Sequence, residues 1–163
     1  MNIFFLYRNP RRCAQAQCDK HVSKMLVEAT QLLYLCHYLV GSPVPSTGYK
    51  MTHRHHPCGK WLTESIENYL WTIAFCWELA EEYRFRYGAH KMHACEVHLV
   101  WLETHVPSLP LIPMTPHALA MKPDYKISAN PIVSYRYYYW ISKDVERGIL
   151  HYKRGRCRPA FLP

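Results

Sequence analysis

The sequence predicts a mostly α-helical fold, in which residues 1–163 form a single compact domain of about five helices with a short extended N-terminal segment and a proline-rich loop. Three observations predict it. First, 49% of the 163 residues are hydrophobic, which is enough for one domain with a sizeable core. Second, prolines stand where helices would begin and glycines where they would end. Third, prolines crowd residues 107–126, which leaves little room for a helix there.

The N-terminal quarter predicts an extended segment and two helices. Residues 3–7 are apolar and aromatic, as in a buried strand or a first core segment. Asn9 and the proline after it suit a helix N-cap and a first helical position, so a short helix is expected over 10–17. A second helix is expected from about 20 to 40, with Asp19 as its cap.

The rest of the chain predicts three further helices. A long aromatic helix should run from 57 to 87, and its apolar residues cover most of its circumference, as in a central helix. A shorter helix is expected over 90–104. A last helix should cover 132–147, followed by a basic tail at 151–163.

The charge and the cysteines limit the partner and the compartment. The net charge is +8, with a pI near 9.2, and such an excess favours an anionic partner. Seven cysteines without any Cys-x-x-Cys pair indicate free thiols in a reducing cytoplasm, the host's if the protein is viral. The apolar run at 3–7 is followed at once by arginines, so it predicts neither a signal peptide nor a membrane span.

The second helix carries a polar face beside its apolar one. His21, Lys24, Glu28 and Gln31 fall within one arc of about 80° at the 100° per residue of an α-helix. Such residues are placed to line a cleft. They are equally typical of a solvated rim, in which Lys24 and Glu28 pair at i,i+4.

A histidine-rich junction precedes the long helix. His53, Arg54, His56 and Lys60 lie where a loop becomes a helix, and helix N-termini hold anions because their first N–H groups lack intrahelical partners. The histidines and cysteines show no spacing that singles out a metal site, so we assign no metal and no cofactor.

Two more groups of residues allow a structural or a ligand-binding interpretation. Polar residues on the Trp61 side of the long helix, Ser65 and Asn68, suit either a core hydrogen-bond network or a pocket wall. Arg136, Tyr138 and Trp140 belong to a basic helix rich in aromatic residues, which is typical of nucleic-acid binding or of an amphipathic helix packed on the core.

Several segments of the chain together resemble the sequence pattern of a known family. The matching segments are Asp19-Lys20-His21-Val22-x-Lys24-Met25-x-x-Glu28, Thr52-His53-x-x-His56-Pro57-Cys58-x-x-Trp61, Ser65, Asn68-Tyr69, Glu82-Tyr83-x-x-Arg86-Tyr87-Gly88, His90-Lys91 and Tyr135-Arg136-x-Tyr138-Tyr139. The chain resembles a group of small proteins, many from bacteriophages, that is associated with the pyrimidine-dimer DNA glycosylase superfamily. The resemblance implies a mostly helical enzyme that excises a damaged or modified base, with or without lyase activity.

The resemblance also implies roles for single residues. In the superfamily an α-amino group attacks the sugar C1′, and a helix glutamate, which Glu28 matches, stabilises the developing positive charge. That mechanism needs a small second residue so that the initiator methionine is removed, and Asn2 departs from this pattern. Water activated by Glu28 is an alternative nucleophile. The amines of Lys20, Lys24 and Lys91 are the others.

The leaving base would need a proton or a hydrogen bond, and the DNA would need cations. His21, His53 or His56 could donate that proton or hydrogen bond to the base. The expected phosphate or nucleic-acid ligands are Lys20, Arg54, Lys60, Arg86, Lys91 and Arg136, and the expected stacking partners of a displaced base are Tyr138 and Trp140.

Two other functions stay open. One is a pocket protein that binds or processes a nucleotide, such as a host signal or a modified nucleotide, and the other is a non-catalytic, helical DNA-binding accessory protein. The partner is accordingly DNA or a nucleotide and not a membrane, and the oligomeric state is left open. The enzymatic hypothesis requires Glu28 to face His53 and His56 across one cationic hollow.

Overall fold

Six α-helices form the framework of the structure, a computed structural model that describes residues 1–153 and 155–163. In chain order they are α1 (Pro10–Gln15), α2 (Asp19–Leu39), α3 (Pro57–Glu64), α4 (Ile66–Tyr87), α5 (Glu96–Thr104) and α6 (Pro131–Tyr138). A 3₁₀ turn at Pro123–Tyr125 precedes α6, and a π-helical segment, Tyr139–Val145, follows it directly. The predicted all-helical fold is confirmed, and the described residues contain no β-strand.

The Asn-Pro pairs start helices as their chemistry predicts. The side chains of Asn9 and Asn130 accept hydrogen bonds from backbone N–H groups in the first turns of α1 and α6, at 2.9 and 3.0 Å. α2 differs, because Cys18 is its N-cap and Asp19 is already helical. The Asp19 carboxylate instead accepts a hydrogen bond from Arg86 at 3.0 Å.

The prediction of one helix from 57 to 87 is wrong, because the helix is interrupted at Ser65. This residue is extended, with φ −156° and ψ 142°, and its hydroxyl caps α4 by accepting a hydrogen bond from the Glu67 N–H group. The same hydroxyl donates to the Ile112 carbonyl at 2.5 Å. The break therefore ties the start of α4 to the proline-rich loop.

Two other helix boundaries also differ from the prediction. α5 begins at Glu96 and not near residue 90. The Glu96 carboxylate accepts a hydrogen bond from the His93 N–H group, and this contact stabilises the turn that precedes the helix. The last helix is α-helical to Tyr138 and continues as the π-helical segment Tyr139–Val145. π-Helical segments often occur at functional sites.

The core surrounds α4, which packs against α1, α2 and α5, while α3 packs against α2. The N-terminal segment is buried in this core without a neighbouring strand. Its successive aromatic side chains point to opposite sides: Phe4 stacks on His21, and Phe5 stacks on His117. The segment thereby carries the first residues of the chain to the face of α2 that bears Glu28.

The proline-rich loop is held against α3 and α4 by buried polar groups. The Asn68 amide donates to Thr115 Oγ1 at 2.8 Å and accepts from the Thr115 N–H group at 3.0 Å. The loop then reaches Ala120, whose carbonyl accepts a hydrogen bond from Asn2 at 2.8 Å. Within residues 1–153 and 155–163, no helix combines the length and the apolar character needed to span a bilayer.

Candidate active site

A pocket of about 260 Å³ lies between the first residues of the chain, α2 and the π-helical segment. We call it the Glu28 pocket. The N-terminal segment and α2 form one wall, and the proline-rich loop and the residues around the π-helical segment form the other. It is lined by Met1, Asn2, Phe4, Lys20, His21, Lys24, Met25, Glu28, Ala120, Tyr138, Lys143, Arg147 and Ile149.

Hydrogen bonds and cations fix the Glu28 carboxylate in this pocket. Its Oε2 atom accepts a hydrogen bond from the Asn2 N–H group at 2.7 Å and lies 3.8 Å from the Met1 amino nitrogen. Its Oε1 atom lies 3.6 Å from Nζ of Lys24. A carboxylate held in this way presents negative charge at a set position, which is what stabilising a developing cation requires.

Asn2 connects the carboxylate to the rest of the fold. Its side chain donates to the Ala120 carbonyl, and its Oδ1 atom accepts from the Tyr135 hydroxyl at 3.0 Å and from the Ile3 N–H group at 2.8 Å. The residue is buried. An asparagine at this position thus fits both the backbone contact to Glu28 and three further polar contacts.

His56 holds the start of the chain from behind the pocket. Its Nδ1 atom accepts a hydrogen bond from the Cys58 N–H group at 3.1 Å, so Nε2 carries the hydrogen and donates to the Met1 carbonyl at 3.0 Å. Burial lowers the pKa of His56. Its contact with Glu28 is therefore indirect, through the first two residues, and the exposed His53 lies outside the pocket lining. The expected arrangement, in which Glu28 faces both histidines across one hollow, is not found, so an enzymatic role rests on Glu28 and the pocket cations instead.

His21 is a neutral pocket histidine. Its Nδ1 atom lies 2.8 Å from the Tyr139 hydroxyl, whose oxygen also accepts from the Cys18 N–H group. Either Nδ1 or the Tyr139 hydroxyl can be the donor in this hydrogen bond, because the hydroxyl oxygen can accept a second one. Burial first, and then the charge of Lys143, lower the pKa of His21 to about 3. Near neutral pH the ring is therefore uncharged: it can take part in hydrogen bonds, but it is not an imidazolium that could act as a general acid.

The wall beyond the proline-rich loop carries a buried lysine that the sequence did not single out. Lys143 is 6% exposed, and its Nζ atom donates to the Tyr138 hydroxyl at 2.9 Å. The same ammonium lies 4.5 Å from the centroid of the Tyr138 ring and 5.6 Å from that of Phe4. Arg147 lines the same wall and is exposed. The spacing of five between residues 138 and 143 matches a π-helix, a pattern that could have indicated this contact.

The structure brings part of the predicted site together. His21, Lys20, Lys24, Glu28 and Tyr138 line the Glu28 pocket, and His56 lies directly behind it. Other predicted site residues lie outside the pocket lining: the exposed His53, Arg54, Lys60 and Lys91, and the half-buried Gln31 and Trp140.

The remaining predicted residues make contacts within the fold. Trp61 is buried, and its indole N–H donates to the Thr115 carbonyl at 3.3 Å. Ser65 and Asn68 hold the proline-rich loop, as described above. Arg86 is buried in ion pairs with Glu82 and Asp19, and Arg136 donates to the Leu6 carbonyl and lies over the rings of Tyr7 and Phe161.

The histidines and acidic residues do not form a metal centre in the part of the chain that the structure describes. No three His, Cys, Asp or Glu side chains converge there as metal ligands would. The cysteines of residues 1–153 and 155–163 are all free thiols, and only Cys157 is exposed.

Comparisons with known proteins give one match. A family model described as pyrimidine dimer DNA glycosylase matches residues 1–95. No curated protein and no solved structure matches the chain. The matched region contains α1 to α4, Glu28 and His56, whereas Tyr138 and Lys143 lie beyond it.

Proposed function

We propose, because this chain belongs to the pyrimidine dimer DNA glycosylase family, that the Glu28 pocket removes a damaged or modified base from DNA. The family supports a glycosylase-like activity in general. The observation that carries the assignment to this pocket is the Glu28 carboxylate, held by the Asn2 N–H group at 2.7 Å in a cavity rimmed by cations.

Glu28 suits the sugar side of the reaction. As an N-glycosidic bond breaks, positive charge develops on the sugar at C1′ and its ring oxygen, while the electron pair stays with the base. A fixed carboxylate next to C1′ stabilises that positive charge more in the transition state than in the ground state, and this difference accelerates the reaction.

Two routes supply the group that replaces the base. In the first, water activated by Glu28 adds to C1′ and leaves an intact abasic strand. In the second, an amine attacks C1′ and forms an imine, which permits strand cleavage. Lys24 is one candidate amine, with Nζ 3.6 Å from Glu28 Oε1, and Lys20 lines the same rim.

Cations at the rim of the pocket are placed to hold phosphates. Lys20, Lys24 and Arg147 are exposed there, and exposed cations bind the DNA backbone while they release counterions. A target nucleotide leaves the duplex stack to reach a pocket of this kind, and the half-buried Tyr138 in the lining can contact its base.

Single-turnover base release is the test of this function. Wild-type protein should break the glycosidic bond in an ultraviolet-irradiated duplex or in a duplex with a modified pyrimidine, and Glu28→Gln should slow this release by about 100-fold or more without loss of DNA binding. Release is counted as abasic sites formed, because the detached base of a pyrimidine dimer stays joined to its neighbour. Glu78→Gln, in α4 outside the pocket lining, is the matched control and should release base at the wild-type rate.

Other outcomes would overturn the proposal in distinct ways. Salt-dependent DNA binding without base release would indicate an accessory protein. Tight binding of a mononucleotide without affinity for DNA would indicate a nucleotide pocket. Borohydride trapping followed by peptide mapping separates the two glycosylase routes, because the imine alone is trapped and the mapped peptide identifies the amine.

A further inference from the structure

The Glu28 pocket holds a second fixed charge of opposite sign. Lys143 is 6% exposed, whereas the Lys24 side chain at the rim is 58% exposed. A buried ammonium is normally compensated by a carboxylate, because removing it from water costs several kcal/mol. Lys143 forms no ion pair with a carboxylate of the described residues.

The surroundings of Lys143 explain how it is held there without a carboxylate. Its Nζ atom has one hydrogen-bond acceptor, the Tyr138 hydroxyl at 2.9 Å, and two ring faces, those of Tyr138 and Phe4. An ammonium group has three hydrogens to donate. Lys143 therefore retains donor capacity in a pocket whose volume, about 260 Å³, is filled by no protein group.

Glu28 does not neutralise this charge, because its own partners are different. The carboxylate binds the Asn2 N–H group, the Met1 amino nitrogen and Lys24, all on the wall formed by the N-terminal segment and α2. Lys143 belongs to the π-helical segment, which also lines the pocket and lies beyond the region that the family model matches. The pocket thus separates one carboxylate from one buried ammonium.

We propose that Lys143 binds the leaving base and stabilises the negative charge that the base acquires as the glycosidic bond breaks. This inference rests on the proposed function. A breaking N-glycosidic bond makes the sugar positive and the base negative, and Glu28 and Lys143 provide one charge of each complementary sign in a single pocket. The aromatic rings of Phe4 and Tyr138 beside the ammonium make its surroundings apolar, which suits a planar base better than a solvated phosphate, and the exposed rim cations suit the phosphate.

The step balances with water as the only co-reactant. Water adds its oxygen to C1′ and gives a proton to Glu28, the C1′–N bond breaks, and its electron pair remains on the base. Lys143 donates a hydrogen bond to that electron pair or to a ring carbonyl conjugated with it, and transfers the proton that the neutral base needs. Proton exchange with solvent then restores Glu28 and Lys143.

The test varies the acidity of the leaving base. The substrates are duplex oligonucleotides whose target is thymine, uracil or fluorouracil, each prepared as the single base and, by irradiation, as the cyclobutane dimer. A more acidic base leaves without help, so Lys143→Met should slow single-turnover release about 100-fold for thymine and only a few-fold for fluorouracil. Lys143→Arg should restore much of the loss, because it keeps the cation.

Controls separate this role from a structural one. Lys143→Gln repeats the measurement with a polar neutral side chain, and thermal unfolding establishes that each variant is folded. Lys50→Met, which removes one exposed charge outside the pocket lining, should change release from all three bases by the same factor. An equal loss for all three bases in Lys143→Met, or no loss at all, would overturn the role of Lys143.

The proposed function fails in a different pattern. Suppose that the wild-type protein releases base, that Glu28→Gln does not, and that Lys143→Met slows release by the same factor for every base. Then the inference alone is wrong. If the wild-type protein releases none of these bases at saturating concentration, or if Glu28→Gln releases them at the wild-type rate, then the proposed function is wrong and the role of Lys143 falls with it.

Discussion

His56 illustrates how a single residue can serve the site without facing the substrate. The sequence places it at the start of a helix, where anions can bind. In the structure its Nε2–H group donates to the Met1 carbonyl, and its Nδ1 atom caps α3 by accepting a hydrogen bond from the Cys58 N–H group. Both contacts position the first residues against Glu28. Sequence spacing could suggest that His56 belongs near the pocket, but it could not reveal the hydrogen bond to Met1, which lies 55 residues away along the chain.

We expect His56→Phe to slow base release more than it weakens DNA binding. The change removes the α3 cap and the hydrogen bond to Met1, at a cost of about 1 to 2 kcal/mol in the free energy of unfolding. Its main effect should be a lower single-turnover rate at saturating protein. The exposed neighbour His55 is the matched control, and equal losses in His55→Phe and His56→Phe would contradict the positioning role.

Two buried histidines should make the fold sensitive to acid. Burial lowers the pKa of both His21 and His117 to about 3, from 6.5 in the unfolded chain. Between these values the unfolded state binds protons that the folded state does not, so stability rises with pH from about 3 to 6.5 and levels off above. Each histidine should cost about 1.4 kcal/mol per pH unit as pH falls through that window.

Urea unfolding of His117→Phe at several pH values tests this expectation. The ring of His117 packs between Phe5 and Trp61, so phenylalanine can occupy the site. The variant should lose about 1.4 kcal/mol per pH unit of the dependence of stability on pH between 4 and 6.5, and it should keep the part that comes from His21 and from the other histidines whose pKa burial lowers. An unchanged slope would show that His117 does not remain neutral in the folded protein.

At the scale of elements, the break at Ser65 is the clearest departure from the sequence-based prediction. Residues 57–87 have apolar side chains around most of the circumference and no proline after the first position, so periodicity gives no sign of an interruption. The break is stabilised by a tertiary contact, the hydrogen bond from Ser65 to Ile112. A contact with a loop that lies 47 residues later cannot be deduced from helical spacing.

Ser65→Ala should therefore destabilise the protein by about 1 to 3 kcal/mol. It removes the N-cap of α4 and the hydrogen bond that ties the start of this helix to the Ile112 carbonyl. The measurement is chemical unfolding, compared with Thr63→Ala, whose hydroxyl makes a local, exposed hydrogen bond to Lys60. A loss for Ser65→Ala no larger than that for Thr63→Ala would show that the break does not depend on the serine.

The π-helical segment is the other element that the sequence did not indicate. Residues 132–147 have acceptable α-helical periodicity, and the prediction carried the α-helix through to 147. In the structure the wider turns bury Tyr139 against Cys18 and His21, and bury Lys143 against Tyr138. The contacts of Tyr139 join residues more than 100 positions apart in the chain, so local propensity alone does not reveal the π-helical segment.

On the scale of the whole molecule, the positive charge divides into internal and external parts. The net charge is +8, but Arg86 and Arg156 both bind the buried Glu82 carboxylate, and Arg158 pairs with Asp144. These cations hold the C-terminal segment on the fold. Lys20, Lys24 and Arg147 at the pocket rim are exposed, and they are the charges that we propose for DNA binding.

Two variants should separate these parts. Arg156→Ala should lower the free energy of unfolding by about 1 to 3 kcal/mol and leave the salt dependence of DNA binding unchanged. Lys20→Ala should leave stability nearly unchanged and reduce the slope of log affinity against log salt by about 0.9. If Arg156→Ala instead reduces the slope of log affinity against log salt and leaves stability unchanged, DNA binds at the C-terminal segment and the assignment is wrong.

How much the sequence predicts also depends on scale. The helical class follows from hydrophobic content and from helix starts such as Asn9 and Asn130, which act locally. The α2 wall of the pocket follows from helical spacing, which puts His21, Lys24 and Glu28 on one face. The opposite wall does not follow, because Lys143 reaches the pocket through the fold of the whole chain.

The most direct test of the central claim is the structure of Glu28→Gln protein bound to a duplex that carries the damaged base it recognises. The account predicts that the target nucleotide is turned out of the helix, with its sugar C1′ beside residue 28 and its base between Phe4, Tyr138 and Lys143. DNA bound on another surface, with an empty Glu28 pocket and the target base still stacked in the duplex, would contradict it.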